Sequence, residues 1–303
     1  MKKIFALVLA CILALSMLSA FAETTEEAAA ESKWVNILLL GGDARSLTEY
    51  DRTDSIIILS VNYEDRQMKM TSVMRDTYVK YPTKNYSAKV NAAQVYGGPE
   101  LTVETISGIL DIEIANYVLV NMNDLASIVD AMGGVTVTVT GSERYYINYY
   151  AEDYLKNVSR SYEGETDLEC EDGEVHLNGL HAVSYARNRY TDSDFGRVMR
   201  QQEILLNLAR QLQEMELDEA MAMDLKTQLQ EHIYTDMTEE QIKELAMLCL
   251  VVDVDQIGQY RIPVDGTYYT DEEKESGIIM NQDKNTKFLH EFIYGDGEGL
   301  TVE

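Results

Sequence analysis

Long apolar runs separated by short polar stretches dominate the first part of the chain after residue 33. Residues 34–40 and 55–62 are continuous runs of branched apolar side chains, which predict strands buried on both faces. Residues 68–73 and 116–121 predict two further strands. The alternation of Val and Thr over 135–140 predicts a strand with one exposed face.

Between these strands, apolar residues recur at helical spacing. One predicted helix begins near Pro99, and another stops at Gly133 and Gly134. The predicted helices cover 99–112, 122–132, about 196–215, two segments within 218–252, and 281–293, with a last strand at 257–264. This mixture predicts an α/β fold in which helices flank a central mixed β-sheet.

No internal repeat and no linker rich in proline or serine divides the chain, so one elaborated domain is favoured over two. We expect the main domain over 33–213 and a C-terminal extension of helices and a strand over 214–297, packed on the same domain. Within the main domain, 141–175 is polar, acidic and rich in tyrosine, which predicts an insertion that runs over the surface.

Residues 1–22 predict a targeting segment rather than part of the fold. Lys2 and Lys3 precede an uncharged apolar run that ends in Ala20-Phe21-Ala22, a small-x-small cleavage pattern. The run is also long enough for an uncleaved membrane anchor, although a cleaved signal peptide is favoured. An acidic linker follows over 23–32, and under either alternative the rest of the chain works outside the cytoplasm.

Composition narrows the function classes. The 303 residues carry a formal net charge of -27, which disfavours nucleic acid as a partner because phosphate binding needs Lys and Arg. The chain has 3 cysteines, one of them in the leader, and this implies no disulfide framework. Cys170 and Cys249 can either pair or remain separate thiols, and the sequence leaves that open.

Arginine and aspartate gather where predicted strands and helices end, in three short clusters. The members are Asp43, Arg45, Arg52 and Asp54; Arg75 and Asp76; and Arg187, Arg189, Arg197, Arg200 and Gln201. Each cluster alone is typical of ordinary ion pairs, but the shared position at element ends favours a binding site. Arg187 and Arg189 share one face if their segment is extended. Arg197 and Arg200 lie on one face at the start of a helix, where a bound anion would offset the unfavourable dipole.

The chemistry of these groups points to phosphate. Arginine offers a planar fork that binds two phosphate oxygens, and two carboxylates such as Asp43 and Asp54 can hold Mg²⁺ together with those oxygens. The 4 histidines lack metal-binding spacing, and neither a P-loop nor a nucleophile elbow is present in the sequence. The residues therefore predict an extracytoplasmic, metal-assisted phosphoryl or pyrophosphate site.

A series of motifs in this chain resembles, in the same order, the LytR-CpsA-Psr family of bacterial cell-envelope proteins. The motifs are NILLLGGDAR, RTDSIIILSV, SVMRDTYV, KVNAAQVYGG, VDAMGGVTVTV, LNGLHAVSYARNR and DFGRVMRQQEIL, and they cover roughly 33–212. The resemblance implies the family's single-domain fold. It also implies a phosphotransferase that moves a glycopolymer, such as teichoic acid or capsule polysaccharide, from a polyprenyl-pyrophosphate carrier onto peptidoglycan at the outer face of the cytoplasmic membrane.

The resemblance also implies roles for single residues. Asp43 and Asp54 would ligate Mg²⁺. Asp76 and Asp194 would orient other groups or accept the proton of the attacking sugar hydroxyl, with Arg75 beside them in the catalytic set. The residues implied to bind the pyrophosphate or to line the site are Arg45, Arg52, Arg75, Lys89, Asn91, Arg187, Arg189, Arg197, Arg200 and Gln201.

Two features of the resemblance leave questions for the structure. Family members commonly read Pro-Arg-Asp where this chain has Met74-Arg75-Asp76, a change that alters loop stiffness more than chemistry. The polyprenyl chain needs an apolar tunnel between sheet and helices, for which 90–98 and 101–110 are the predicted walls. The same anion site would also serve a pyrophosphatase that releases lipid phosphate to water, or a non-catalytic binder of lipid-linked wall polymers. The sequence does not separate these alternatives from transfer.

Overall fold

The computed structural model describes residues 33–42, 51–157, 162, 164–192, 194–215 and 219–295. The predicted leader, the acidic linker, Asp43 and Arg45 lie outside the described residues. Across those described ranges, no helix combines the length and the hydropathy that crossing a bilayer requires.

Strands and helices follow one another much as the apolar pattern predicts. The strands are β1 (Trp34–Gly42), β2 (Thr53–Asn62), β3 (Gln67–Val73), β4 (Tyr78–Lys80), β5 (Ser87–Lys89), β6 (Asn116–Asn121), β7 (Val135–Val139), β8 (Gly173–Leu177), β9 (Tyr234–Thr235), β10 (Gly258–Ile262), β11 (Tyr268–Asp271) and β12 (Gly277–Met280). The helices are α1 (Ala93–Leu110), α2 (Met122–Ala131), α3 (Gly141–Asn157), α4 (Gly179–Arg187), α5 (Asp194–Glu214), α6 (Glu219–Gln230), α7 (Glu239–Cys249) and α8 (Gln282–Tyr294). The sequence pattern does not predict strands β4, β5, β9, β11 and β12, because two to four residues are too few to show a period. It also does not predict the five-residue strand β8 or the helix α4.

The central sheet is 6-stranded, in the order β10-β3-β2-β1-β6-β9. β1 and β2 run antiparallel with Leu38 opposite Ile58, and β2 and β3 run antiparallel with Ile57 opposite Ser72. β6 runs parallel to β1, and β10 runs parallel to β3. The sheet is therefore mixed, and its three most apolar strands lie together in the middle.

Helices cover both faces of the sheet because β1 and β2 are apolar on both faces. On one face Leu38 and Ile56 pack among buried side chains of α1 and α8. On the other face Ile37 and Ile57 pack toward α5 and α7. Full burial of one such side chain stabilises the fold by about 1.5–3 kcal/mol. The prediction of an α/β fold with a central mixed sheet between helices is confirmed.

The tyrosine-rich segment 141–175 differs from the predicted surface insertion. Its first part forms α3, whose Ile147, Ala151 and Tyr154 are buried at i, i+4 and i+7 spacing. They pack against side chains of α2 and α4. The polar composition concealed this helix, because one narrow buried stripe suffices to attach it and tyrosines cover much of the remaining surface.

The residues after 214 take part in the same core. β10 pairs with β3, and Met74 just beyond β3 donates its backbone N–H to the Ile262 carbonyl at 2.8 Å. Leu289 and Ile293 of α8 are fully buried against the face that α1 also covers. This pairing fixes the loop that begins at Met74, and that loop carries Arg75 and Asp76.

Cys170 and Cys249 are both free thiols. Cys170 packs beside the β7–β8 hairpin, whereas Cys249, the last residue of α7, packs against the core on one face of the central sheet. Burial raises the pKa of Cys249 to about 11, so this thiol stays protonated near neutral pH. The pairing that the sequence leaves open does not form.

Candidate active site

Strand register brings Asp54 and Arg75 together. Asp54 lies near the start of β2, and Arg75 follows the end of β3, its antiparallel neighbour. The pairing of Ile57 with Ser72, continued three residues further, sets Asp54 opposite Arg75. Arg75 Nη1 donates a hydrogen bond to Asp54 Oδ1, and the two side chains form an ion pair.

The loop after β3 adds Asp76, which two cations hold. Lys89 Nζ lies 3.0 Å from Asp76 Oδ1, and Arg75 Nε lies 3.7 Å from Asp76 Oδ2. The backbone N–H of Asn91 donates to the Arg75 carbonyl at 3.2 Å. Asn91 is buried, and its Oδ1 finds no hydrogen-bond partner within the described ranges. Lys89 and Asn91 thus support the loop that presents Arg75 and Asp76.

The first turn of α5 supplies a buried guanidinium with unused donors. Arg197 is 2% exposed, and its Nη2 donates to Asp194 Oδ2 at 2.9 Å. Its Nε and Nη1 have no hydrogen-bond partner in the part of the chain that the structure describes. Burial lowers the pKa of Arg197 to about 10, an effect that Asp194 opposes and Arg75 reinforces. A buried donor without an acceptor costs about 1–3 kcal/mol, so these N–H groups suit an anionic ligand.

Asp194 joins this helix to the preceding loop. Arg189 Nε lies 3.1 Å from Asp194 Oδ1, which is ion-pair distance, but the N–H is not aligned for a hydrogen bond and Oδ1 accepts none from the described residues. Burial lowers the pKa of Arg75, but the carboxylates of Asp54, Asp194 and Asp76 together outweigh this effect, so the pKa is raised above its usual value. Among the described residues of the cluster, four cations, Arg75, Lys89, Arg189 and Arg197, surround three carboxylates, Asp54, Asp76 and Asp194.

An apolar cavity of about 180 Å³ adjoins the cluster. One wall comes from the sheet, including Leu39, Ile57 and Val118, and the other comes from α2, α4 and α5. Asp54, Arg187 and Gln201 also line this cavity, so its polar end coincides with the cluster. An apolar space that ends at arginines suits a molecule with an apolar tail and an anionic head.

The predicted tunnel walls are wrong for this cavity. Val90 and Leu101, from the predicted wall segments 90–98 and 101–110, lie in the core on the opposite face of the sheet. Neither segment lines the cavity. Because β1 and β2 are apolar on both faces, the sequence pattern does not tell which face holds the cavity.

Arg187 ends α4 at the polar end of the cavity. Its Nη2 lies 3.5 Å from Asp153 Oδ2, and its guanidinium lies 5.2 Å from the centre of the Tyr150 ring. Since 179–187 is helical, the extended segment that would align Arg187 with Arg189 does not exist, and the two reach different carboxylates. The sequence prediction does not include Tyr150 and Asp153, because the polar composition of their segment predicts a surface insertion. Their i, i+3 spacing, which places them on one face of a helix, is the signal that could have found them.

Arg200 and Arg52 do not join the cluster. Arg200 Nη1 lies 3.1 Å from Glu143, and its Nη2 lies 2.6 Å from Asp192 and 2.9 Å from the Asn188 carbonyl. These contacts tie α5 to α3 and to the 188–192 loop, so Arg200 has a role in the fold rather than the predicted place beside the pyrophosphate. Arg52 is exposed at the edge of the site, just before β2.

Asp54 fits a Mg²⁺ ligand, although the described residues alone do not complete a ligand set. Its carboxylate is partly exposed at the polar end of the cavity. Within the described ranges, no three His, Cys, Asp or Glu side chains stand close enough to hold a metal. Mg²⁺ is commonly bound by one or two carboxylates with water and phosphate oxygens. Asp54, with Asp43 outside the described residues, is compatible with that arrangement, and the metal stays a prediction.

A mixed sheet between helices, with an apolar cavity that ends at an arginine–carboxylate cluster, defines an α/β protein whose site has an apolar and a charged part. The model of the LytR_cpsA_psr family matches residues 15–291. The chain belongs to this family, and the resemblance drawn from its motifs is confirmed.

Named relatives and solved structures agree with this assignment. The polyisoprenyl-teichoic acid–peptidoglycan teichoic acid transferase TagU of Bacillus cereus is 32% identical over 224 residues, which is 73% of this chain and 66% of that protein. TagU of Halalkalibacterium halodurans is 36% identical over 178 residues, 58% of this chain and 52% of that protein. The crystal structure of B. subtilis TagV has a TM-score of 0.66 at 25% identity, covering 87% of this chain and 98% of that chain. The chain therefore spans less than two thirds of the length of these TagU relatives.

Proposed function

We propose that this protein is an extracytoplasmic, Mg²⁺-dependent phosphotransferase that moves a glycopolymer from a polyprenyl-pyrophosphate carrier to peptidoglycan. The buried Arg197 carries the proposal, because its Nε and Nη1 donors lack an acceptor among the described residues and lie close to Asp194 and Arg75. Two phosphate oxygens are the acceptors that a guanidinium fork matches best.

The apolar cavity supports a lipid carrier as the substrate. A polyprenyl chain is apolar along its length, so its burial among Leu39, Ile57 and Val118 is favourable by roughly 25 cal/mol per Å² of apolar surface. Arg187 and Gln201 at the polar end then meet the pyrophosphate where it leaves the cavity. One amphipathic molecule thereby accounts for both the apolar and the charged part of the site.

The names of the relatives support the same reaction. The name of TagU gives polyisoprenyl-linked teichoic acid as the donor and peptidoglycan as the acceptor. We infer the same partners for this chain, together with the outer face of the cytoplasmic membrane, where the lipid resides. The predicted leader over 1–22 supports a location outside the cytoplasm.

In this proposal the arginines contribute most of the rate acceleration by stabilising negative charge in the transition state. Arg75, Arg189 and Arg197 bind the pyrophosphate oxygens and stabilise the charge that grows on the leaving phosphate. Asp54, with Asp43, would hold Mg²⁺, which when bound withdraws charge from the same oxygens. Phosphoryl transfer requires little covalent work from the protein, so positioning and charge supply most of the rate.

Asp194 is the better candidate for the proton acceptor. Asp76 faces Lys89 and Arg75, and Asp194 faces Arg189 and Arg197, but the buried Oδ1 of Asp194 accepts no hydrogen bond from the described residues. The acceptor sugar hydroxyl bonds to the phosphorus nearer the glycopolymer, and its proton passes to Asp194. The bond from that phosphorus to the bridging oxygen breaks, and polyprenyl phosphate leaves with the electron pair. Asp76 then has the positioning role of holding Arg75 and Lys89.

The proposal is tested by following the phosphate. Purified protein is incubated with a polyprenyl-pyrophosphate oligosaccharide, Mg²⁺ and soluble peptidoglycan fragments, and the products are analysed by mass spectrometry. Transfer places the sugar phosphate on the peptidoglycan fragment and releases polyprenyl phosphate. Sugar phosphate released to water would identify a pyrophosphatase, and binding without any product would identify a non-catalytic binder. Either result would overturn the transferase.

A matched pair of variants on α5 serves as a control for this assay. Arg197→Met should lower product formation by roughly 10²–10³-fold, the effect expected when one donor to the developing charge is lost. Arg210→Met should leave it unchanged, because Arg210 is exposed and pairs with Asp255 away from the cluster.

A further inference from the structure

A group of tyrosines lies beside Arg187, and of its members only Tyr150 takes part in the site described above. Tyr145, Tyr146, Tyr149 and Tyr150 form two i, i+4 pairs on α3, and Tyr190 approaches them from the loop after α4. We call these five residues the tyrosine platform.

Tyr190 is the centre of the tyrosine platform. Its ring stacks on Tyr146, with the ring centres 5.0 Å apart and the planes 20° from parallel, and on Tyr150 at 6.0 Å and 30°. Tyr149 meets it edge-on at 6.1 Å. Tyr190 is nevertheless 61% exposed, and Tyr145 and Tyr149 are exposed as well. The stack therefore leaves a broad aromatic surface in contact with solvent.

The backbone holds this surface in place. The Tyr190 N–H donates to Asn188 Oδ1 at 3.1 Å, and Asn188 is fully buried. The Asn188 carbonyl in turn accepts from Arg200 Nη2 at 2.9 Å, and Arg200 is itself buried. A rigid aromatic surface loses little conformational entropy when it binds a ligand, which is the property that binding sites exploit.

The tyrosine platform is continuous with the proposed pyrophosphate site through Arg187. That residue lines the polar end of the cavity, and its guanidinium lies over the Tyr150 ring at 5.2 Å. In a lipid-linked sugar the saccharide is attached to the pyrophosphate on the side away from the lipid. With the lipid in the cavity and the pyrophosphate at Arg187, the first sugar rings reach the tyrosine platform.

We propose that the tyrosine platform binds the sugar rings next to the pyrophosphate of the lipid-linked donor. One face of a pyranose ring carries C–H groups that pack against the electron-rich face of an aromatic ring. Exposed aromatic patches of this kind are typical of binding sites rather than of inert surface. The inference rests on the proposed function and names the part of the donor that this chain recognises.

The experiment compares two probes by calorimetry: a short polyprenyl pyrophosphate, and the same lipid carrying a disaccharide. Tyr190→Leu should weaken binding of the sugar-bearing probe by about five- to tenfold, the loss expected for one aromatic contact, and leave the sugar-free probe unchanged. Tyr190→Phe should bind both probes like the wild type, because the ring face is kept. Tyr269→Leu on β11 is the matched control, since Tyr269 is also 61% exposed, and it should bind both probes normally.

The outcomes separate this inference from the proposed function. If Tyr190→Leu binds both probes like the wild type, or loses both equally, the sugar-binding role is overturned while the pyrophosphate site stands. If Tyr190→Leu loses affinity only for soluble peptidoglycan fragments, the surface serves the acceptor and the inference is likewise overturned. If the wild type binds neither probe, the proposed function itself fails and the inference fails with it.

Discussion

Two arginines one turn apart on α5 have different surroundings. Arg197 is 2% exposed and Arg200 is 4% exposed, and in the sequence they occupy equivalent places on one helix face. Arg200 contacts Glu143, Asp192 and the Asn188 carbonyl, which join three parts of the fold. Arg197 pairs with Asp194, and two of its nitrogens have no acceptor among the described residues, whereas Arg200 has one such nitrogen, its Nε.

Burial alone therefore does not show whether an arginine stabilises the fold or binds a ligand. Arg200 forms ion pairs with carboxylates of the fold itself, so its removal should destabilise the fold. Arg197 is held close to another cation, Arg75, whose partner Asp54 lines the cavity, and this arrangement costs stability until an anion binds. The following predictions test this contrast, beginning with the largest effect.

Arg200→Met should lower the free energy of unfolding by about 3–5 kcal/mol, because it leaves the carboxylate of Glu143, which is only 13% exposed, without its charged partner. Urea denaturation followed by circular dichroism measures this. Arg144→Met, at the exposed neighbour of Glu143, is the control and should change stability little. A loss below about 1 kcal/mol for Arg200→Met would remove the contrast between the two arginines.

Arg197→Met should weaken binding of a polyprenyl pyrophosphate by about 1.5–3 kcal/mol, the contribution of a hydrogen bond to a charged group. Stability without ligand should stay level or rise, because Met replaces a buried charge whose pKa burial has already lowered, and Arg189 still faces Asp194. Calorimetric titration and a urea curve on the same sample give both values. Unchanged affinity would show that Arg197 does not meet the pyrophosphate.

Ala186→Leu should shorten the cavity, because Ala186 lines it from α4. The variant is expected to lose about 1–2 kcal/mol of the affinity gained from a longer polyprenyl chain, while pyrophosphate alone binds as before. Val95→Leu, on the exposed side of the segment first predicted as a wall, is the control. Chain-length dependence is measured with a series of polyprenyl phosphates. An effect of Val95→Leu instead of Ala186→Leu would put the lipid on the opposite face of the sheet.

Arg189→Lys should have the smallest effect, about 0.5–1 kcal/mol on pyrophosphate affinity. Arg189 is 45% exposed, so solvent screens its charge, and Lys keeps that charge but lacks the bidentate fork. The same titration detects it. A loss larger than that of Arg197→Met would mean that the exposed arginine, and not the buried one, dominates the site.

Much of this site can be predicted from sequence, and the rest depends on packing that sequence does not reveal. The apolar runs predict the central strands, and the antiparallel pairing of β2 with β3 brings Asp54 near Arg75 at the end of the pair away from the connecting turn. The roles of Arg197 and Arg200 cannot be told apart in this way, because Glu143 lies in a segment whose composition resembles a surface loop. The side of the sheet that holds the cavity is equally hidden, since Leu39 and Leu40 on successive faces of β1 are both apolar.

The most direct test of the account is a thermal-shift measurement on the wild type, Arg197→Met and Arg200→Met, each with and without a short polyprenyl pyrophosphate. The account predicts that Arg200→Met melts well below the wild type but keeps a ligand-induced rise in Tm. It predicts that Arg197→Met melts at or above the wild type without ligand and loses most of that rise. If the two variants behave alike, or if Arg197→Met keeps the full rise, Arg197 does not bind the pyrophosphate and the proposed site is contradicted.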